Sequence, residues 1–305
     1  MTSPSTSPTG AQIIDGNALS QRFREQIAAR VRDVRAAGMP VGLDAVLVES
    51  GDNGARVYAD NQAKTCAALG IDYRLHLLPS TAGYDDIAGR VLLLSSEPKV
   101  TAIMLHMPLP AGIDPYRVQR LIAPEKDVEG VNPANIGNVV YGRSSLAPCT
   151  GLAVMRMIES VLPPRTDDVP LLRGKRAVVI GASDVVGKPI AVLLMRQEAT
   201  VVSCNKFTLG IEDLARSADI LVAAAGVPDL IKPDMVKPGA IVIDVGVNRI
   251  PGEGGKTRTV GDVAFATVRN IAGWISPVPG GVGPVTVSML LLNVVEAAAR
   301  ALPAR

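Results

Sequence analysis

The chain has 305 residues, with 31 basic and 29 acidic side chains for a formal net charge of +2, and only 3% aromatic residues. Its charges are interspersed, which excludes the basic stripe and stacking platform of a nucleic-acid binder, and its length allows two modest domains around a substantial core. Three widely spaced cysteines (Cys66, Cys149, Cys204) lack any C-x-x-C spacing, which argues against a disulfide framework or a metal site and for a reducing cytoplasm.

Residues 1–10 are rich in Ser, Thr and Pro without a basic or apolar leader region, so they read as a disordered tail. No apolar run is expected to reach the ~18–20 residues of a membrane span. Apolar residues at helical spacing predict a helix over Ala18–Ala37, stopped by Gly38. A strand over Gly42–Val48 and a helix over Ala55–Leu69 follow, the latter ending at Gly70 in the usual C-terminal position. Tyr73–Leu78 reads as a strand, Tyr84–Ser95 as a helix and Thr101–Leu105 as a buried strand. This alternation predicts an α/β fold with a parallel sheet. Asn132–Arg143 is polar, rich in Asn and Gly and without clear periodicity, and is expected to link two domains.

The pattern restarts with a helix over Gly151–Ser160, a strand over Arg176–Ile180, a helix over Lys188–Gln197 and a strand over Thr200–Cys204. A helix over Ile211–Arg216 and strands over Ile220–Ala224 and Ala240–Val245 complete a doubly wound, Rossmann-like second domain. Between its first strand and helix lies Gly181-Ala182-Ser183, with Gly187 four residues on, a variant of the dinucleotide-binding turn. An NAD site places a carboxylate at the end of the next strand; here that position carries Lys206, which suits the 2′-phosphate of NADP. A tight turn without a ligand and an ordinary surface lysine are the plain alternatives.

Pro277 to Thr286 holds three glycines and three prolines in ten residues and is expected to be a shaped turn. It feeds the apolar helix Val287–Ala301. Its glycines permit close backbone approach to a ligand, and N–H groups at the helix start suit an oxygen-rich or anionic group.

Taken with His106-Met107-Pro108-Leu109-Pro110 and the loop Pro124 to Gly130, these segments resemble the bifunctional methylenetetrahydrofolate dehydrogenase/methenyltetrahydrofolate cyclohydrolase family. The resemblance runs from Ile13 to Arg300. It includes Ile14-Asp15-Gly16, Tyr58, Pro148-Cys149-Thr150, Lys237 to Gly246 and Val260-Gly261-Asp262-Val263. It implies a cytoplasmic homodimeric enzyme of one-carbon metabolism, with a folate substrate, NADP as cofactor, and no membrane or nucleic-acid partner. It further implies a folate domain over residues 11–148 completed by helix 286–303, an NADP domain over 149–285, and a folate cleft between the two.

By position, Tyr58 would stack on the folate, and Asp127 and Glu129 would hold the amino and ring N–H groups of its pterin. Pro279, Gly280 and Gly283 would wall the reacting carbon, and Gly181, Ala182, Ser183, Lys206 and Val247 would face NADP. Three positions depart from the family pattern: Gln62 stands where a catalytic Lys follows Tyr58 by four residues, His106 replaces a Gln, and Glu129 replaces an Asp. Lys64 lies about 200° round the helix from Gln62 and cannot replace it without a register shift.

His106 reads two ways, as a substitute base or as a hydrogen-bonded residue at a strand end. The expectation is an NADP-dependent dehydrogenase with weak cyclohydrolase activity. The alternatives are a folate- and NADP-binding protein without catalysis, or a dehydrogenase of another cyclic amine.

Overall fold

The computed structural model describes residues 10–49, 54–143, 146–163, 169–252 and 256–302. The expected disordered tail lies, but for Gly10, outside the described residues. In chain order the first elements are β1 (Gln12–Ile13), α1 (Gly16–Ala36), β2 (Gly42–Val48), α2 (Gly54–Leu69), β3 (Asp72–Leu78), α3 (Tyr84–Ser96) and β4 (Ile103–Leu105). Then come α4 (Pro115–Gln119), α5 (Pro133–Tyr141), α6 (Cys149–Val161), β5 (Arg176–Ile180), α7 (Gly187–Arg196), β6 (Thr200–Cys204), α8 (Ile211–Arg216) and β7 (Ile220–Ala223). The rest are β8 (Ile241–Asp244), β9 (Asn248–Pro251), β10 (Thr257–Val260), α9 (Phe265–Val268), β11 (Trp274–Ile275) and α10 (Val282–Arg300).

Two compact units result. One comprises Gln21–Cys149 with Val287–Arg305, the other Met1–Ser20 with Thr150–Thr286. The first is built on a parallel three-stranded sheet in the order β3-β2-β4. Every residue of β2 is buried, as expected of a central strand covered on both faces. Val46, Ile87, Val91, Ile103, Leu105 and Ile122 form its core, and burying each such side chain stabilises by about 1.5–3 kcal/mol. Asn293 of α10 ties the unit together, its amide donating to the carbonyls of Val128 and Ala147 at 2.9 and 3.0 Å.

The second unit holds a six-stranded parallel sheet in the order β1-β11-β8-β7-β5-β6. Strand order reverses at β5, which has β6 on one side and β7 on the other, the arrangement of a doubly wound sheet. Val178, Ile180, Leu221, Ala223, Val242 and Ile275 are among its core residues. An antiparallel hairpin of β9 and β10 is appended to it.

Four expectations need correction. Residues 11–20 were assigned to the first domain by sequence, but β1 pairs with β11 at the edge of the six-stranded sheet. Asn132–Arg143 is not an irregular linker. Asn132 caps α5 by accepting the Ala134 N–H at 2.8 Å, Pro133 fits the first helical position, and Gly142 ends the helix at φ 69°. The Pro277 segment is a turn only as far as Gly281, for α10 starts at Val282. Pro284 is tolerated in the first turn, where its missing N–H would have no helical partner. Finally, α10 is long and apolar enough to cross a membrane. Its fully buried Val285, Met289, Leu291, Val294, Val295 and Ala298 make it a core helix.

Candidate functional site

In the three-stranded unit, α2 and the ends of β3 and β4 bring together polar side chains far apart in sequence. Tyr58 is 44% exposed and meets the ring of His106 edge-on, with centroids 5.8 Å apart. Burial, and then the neighbouring Glu129 and Cys149, raise its phenol above the ordinary value. One turn along α2, Gln62 is buried, its Nε2 donating to Sδ of Met104 at 3.2 Å. Its Oε1 is buried without a partner among the described residues. Lys64, by contrast, is exposed.

His106 follows β4, with its backbone N–H donating to the Val46 carbonyl at 2.8 Å. The side chain is only 2% exposed, and burial lowers its pKa to about 4. At neutral pH the ring is therefore uncharged. Its Nε2 lies 3.2 Å from the hydroxyl of Tyr73 on β3.

Glu129 is half-buried, and its Oε2 accepts the Leu105 N–H at 3.2 Å. Burial pushes its pKa up to about 7, and the charge of Asp127 adds to the rise. Asp127, expected beside Glu129 against a ligand, is instead fully buried. Its Oδ2 accepts the Asn132 N–H at 2.7 Å and the Asn135 amide at 3.0 Å, so it fastens the loop to α5. Oδ1 has no partner among the described residues. Cys149 lies close by, its thiol raised well above the ordinary value by burial and by these carboxylates.

In the six-stranded unit, Gly181 follows the C-terminal end of β5 at φ +113°, where a Cβ would lie 2.0 Å from the Ala224 carbonyl oxygen. A Cβ at Gly187 would sit 1.8 Å from the carbonyl oxygen of Gly181. Glycine is thus required at both positions for the turn to fold back on itself beside the strand ends. Ser183 holds the turn closed, accepting the Lys188 N–H on its carbonyl at 3.0 Å and the Gly187 N–H on Oγ at 3.4 Å. Lys206, just beyond β6, is exposed and lies over the ring of Phe207 at 5.0 Å.

A cavity of about 440 Å³ in this unit is lined by Val247, Pro279, Gly280 and Gly283, together with Asn17 and Thr259. A Cβ at Gly16 would lie 1.8 Å from the Gly281 carbonyl oxygen, so the start of α1 is pressed against the Pro-Gly turn. Ile14-Asp15-Gly16 is short for that reason: Asp15 caps α1 by accepting the N–H groups of Asn17 and Ala18 at 2.9 and 3.0 Å, and Gly16 lets the turn through. The glycine turn and a cation with no acidic residue beside it at the end of β6 fit a phosphorylated dinucleotide.

The models of the tetrahydrofolate dehydrogenase/cyclohydrolase catalytic domain and NAD(P)-binding domain match residues 14–129 and 148–302. The chain belongs to that family. Among its relatives, the bifunctional protein FolD of Polynucleobacter asymbioticus is 44% identical over 292 residues, covering 95% of this chain and 98% of the relative. That of Cupriavidus pinatubonensis is 46% identical over 291 residues, covering 95% and 99%. The crystal structure of the bifunctional FolD of Campylobacter jejuni superposes with a TM-score of 0.87 at 35% identity, covering 95% of this chain and 99% of the other. A Trypanosoma brucei FolD complexed with NADP cofactor and an inhibitor gives a TM-score of 0.87 at 34% identity, covering 97% and 99%.

Within the family frame, the three-stranded unit offers one titratable carboxylate near neutrality, a neutral imidazole, a phenol and an amide. That set can accept and donate hydrogen bonds but supplies no strong base at neutral pH. Tyr73, Met104 and Asn293 went unnoticed in the sequence because none belongs to a spaced motif; only the register of β3, β2 and β4 brings the first two to the site.

Proposed function

We propose that this chain oxidises 5,10-methylenetetrahydrofolate with NADP to the 5,10-methenyl compound, and that hydrolysis to 10-formyltetrahydrofolate is its weak step. The observation that carries this reading is the buried amide of Gln62, bonded to Met104 where the family pattern has a lysine. Loss of hydride from the bridging carbon is driven by a neighbouring nitrogen lone pair and needs no protein base. NADP, when bound, supplies the hydride acceptor. The chain's own share in this step is placement of the two ligands. Tyr58 stacks on the folate, Glu129 accepts the pterin N–H groups, and Asp127 holds the loop that carries Glu129. Gly181, Ala182 and Ser183 receive the pyrophosphate, Lys206 the 2′-phosphate, and Val247, Pro279, Gly280 and Gly283 wall the nicotinamide side.

Hydrolysis differs because water must lose a proton as it adds to the methenyl carbon, a task for which a general base is worth about 10²–10⁴-fold. An amide has no such basicity, and the imidazole of His106 is held near pKa 4 by burial. Relatives at 44–46% identity are named bifunctional proteins, and the solved Campylobacter jejuni relative a bifunctional enzyme, which disfavours a binding protein without catalysis.

The folate portion of the chain is residues 21–148 with 286–303, and the NADP portion is 149–285 with residues 11–20, whose β1 joins the six-stranded sheet. The enzyme acts as a cytoplasmic homodimer. Its three cysteines are free and buried, which accords with a reducing compartment, and β3 lies at one edge of the three-stranded sheet, a position at which a second copy can extend a sheet. Mixing purified protein with methylenetetrahydrofolate and NADP tests the activity. NADPH should form while the methenyl compound accumulates. Absence of NADPH, or formyl product appearing in step with it, would overturn the reading.

A further inference from the structure

Phe207 follows the lysine at the end of β6 and is 78% exposed. We propose that Phe207 is a cofactor-binding residue: its ring is the platform on which the adenine of NADP stacks, beside the Lys206 ammonium that takes the 2′-phosphate. The inference rests on the reading that this unit binds a phosphorylated dinucleotide.

The core does not account for this side chain. A phenylalanine left in water gives up the gain that burying its ring would bring. The turn that carries it is nonetheless well tied. Oδ1 of Asn205 accepts the Phe207 N–H at 2.9 Å, and Oγ1 of Thr208 accepts the Asn205 N–H at 2.9 Å. The Asn205 carbonyl in turn accepts the Thr208 N–H at 3.0 Å. An ordered turn thus presents an aromatic ring to solvent.

Its place in the sheet points to the occupant. β5 and β6 run parallel with Ile180 opposite Cys204, and the Gly181 N–H donates to the Cys204 carbonyl at 2.9 Å. The glycine turn and the Phe207 turn therefore leave neighbouring strands side by side. A dinucleotide whose pyrophosphate lies at the glycine turn brings its adenosine ribose to the end of β6. On that ribose C2′ adjoins C1′, so the 2′-phosphate and the base project from neighbouring atoms. The protein offers a matching pair, for Nζ of Lys206 lies over the Phe207 ring, 5.0 Å from its centroid. A base laid on that ring with its phosphate at the ammonium engages both groups at once and takes the ring out of water. Leu209, 92% exposed, stands two residues on. A protein partner seated on Phe207 and Leu209 is the other possible occupant, and it predicts no dependence of nucleotide affinity on Phe207.

Calorimetry of the full chain with adenosine 2′,5′-bisphosphate, which carries the base and the 2′-phosphate without nicotinamide, tests the proposal. F207A should weaken binding about 5–20-fold, as expected for the loss of one base stacked on an aromatic ring. F207W should bind as the parent does. The chain has a single tryptophan, Trp274, so added nucleotide should quench the fluorescence of F207W well beyond that of the parent. F207A should lose affinity by a similar factor when Lys206 is already alanine, because the stack does not depend on the cation. Unchanged affinity in F207A overturns the proposal, as does a loss that vanishes in the K206A background, which would mean that the ring only positions the lysine. A parent that does not bind the bisphosphate overturns both the proposal and the dinucleotide reading. A parent that binds it but forms no NADPH sinks the proposed activity alone, and the variants still decide the role of Phe207.

Discussion

The backbone N–H of Asp262 donates to Oδ1 of Asp244 at 2.9 Å, so one buried carboxylate anchors the residue that carries the next. The carboxylate of Asp262 in turn accepts the N–H groups of Ala225, Gly226 and Val227 at 2.6, 2.9 and 3.0 Å and the amide of Asn248 at 2.8 Å. The two aspartates knit the loops after β7 and β8 to the segment after β10. Replacing Asp262 by Asn would turn an NH2 group toward backbone donors and should cost about 2–3 kcal/mol. Urea unfolding of D262N should show a lower midpoint, with weakened NADP binding; an unchanged midpoint would contradict the account.

Glu129, with a pKa near 7, should impose a pH dependence on folate binding. Above that value it is a carboxylate that accepts two pterin donors, and below it a carboxyl group that competes with them. KM for methylenetetrahydrofolate should therefore rise as pH falls through about 7. E129Q should remove the inflexion and leave KM high and flat; an inflexion that persists in E129Q would assign it to another group.

His106 and Glu129 pull stability in opposite directions as pH changes. The folded pKa of His106, about 4, lies below the ordinary 6.5, so the unfolded chain binds the extra proton. Stability from this residue is present above pH 6.5 and is lost as pH falls toward 4, by up to roughly 3 kcal/mol. Glu129 is raised from 4.5 to about 7, so the folded state binds the extra proton and gains stability as pH falls through that window. Melting temperatures across pH 4–7 should thus be flatter for the parent than for either H106Q or E129Q, and the two variants should slope in opposite senses. Parallel slopes would refute the assignment.

Restoring a base should restore hydrolysis. Q62K is expected to raise cyclohydrolase turnover at least tenfold, within the range general-base catalysis spans. Dehydrogenase turnover should change much less. Consumption of the methenyl compound without NADP isolates the step. Brisk hydrolysis by the unaltered protein, abolished by H106Q, would mean that His106 is the base after all.

Lys206 should favour NADP over NAD. K206D is expected to reverse or erase the preference, read as the ratio of kcat/KM for the two cofactors. Equal use of both by the unaltered protein would reduce Lys206 to an ordinary surface charge.

Much of this was legible before any coordinates. Gly38 and Gly70 end α1 and α2 at φ +89° and +77°, and the apolar runs between such stops mark their elements unaided. Gln62 stood out because the family pattern that the sequence resembles has a lysine four residues after the tyrosine. The two-residue strands β1 and β11 were invisible, since two residues carry no periodicity, and α5 was hidden by a polar composition that masked its Asn-Pro cap. The contact between Tyr73 and His106 depends on strand order, which no local pattern records. Asp127 illustrates the remaining gap: sequence marks a carboxylate in the loop, and only burial shows that it serves the loop.

The pairing of β1 with β11 bears on how the chain is made. A ribosome delivers Gln12 and Ile13 early, while their partners Trp274 and Ile275 follow roughly 260 residues later, about 15–50 s at ordinary rates of synthesis. The three-stranded unit waits as well, because Asn293, which ties Val128 to Ala147, comes later still. Neither half has its full set of contacts until the end of the chain has been made, so the last step of closure in both units falls near release.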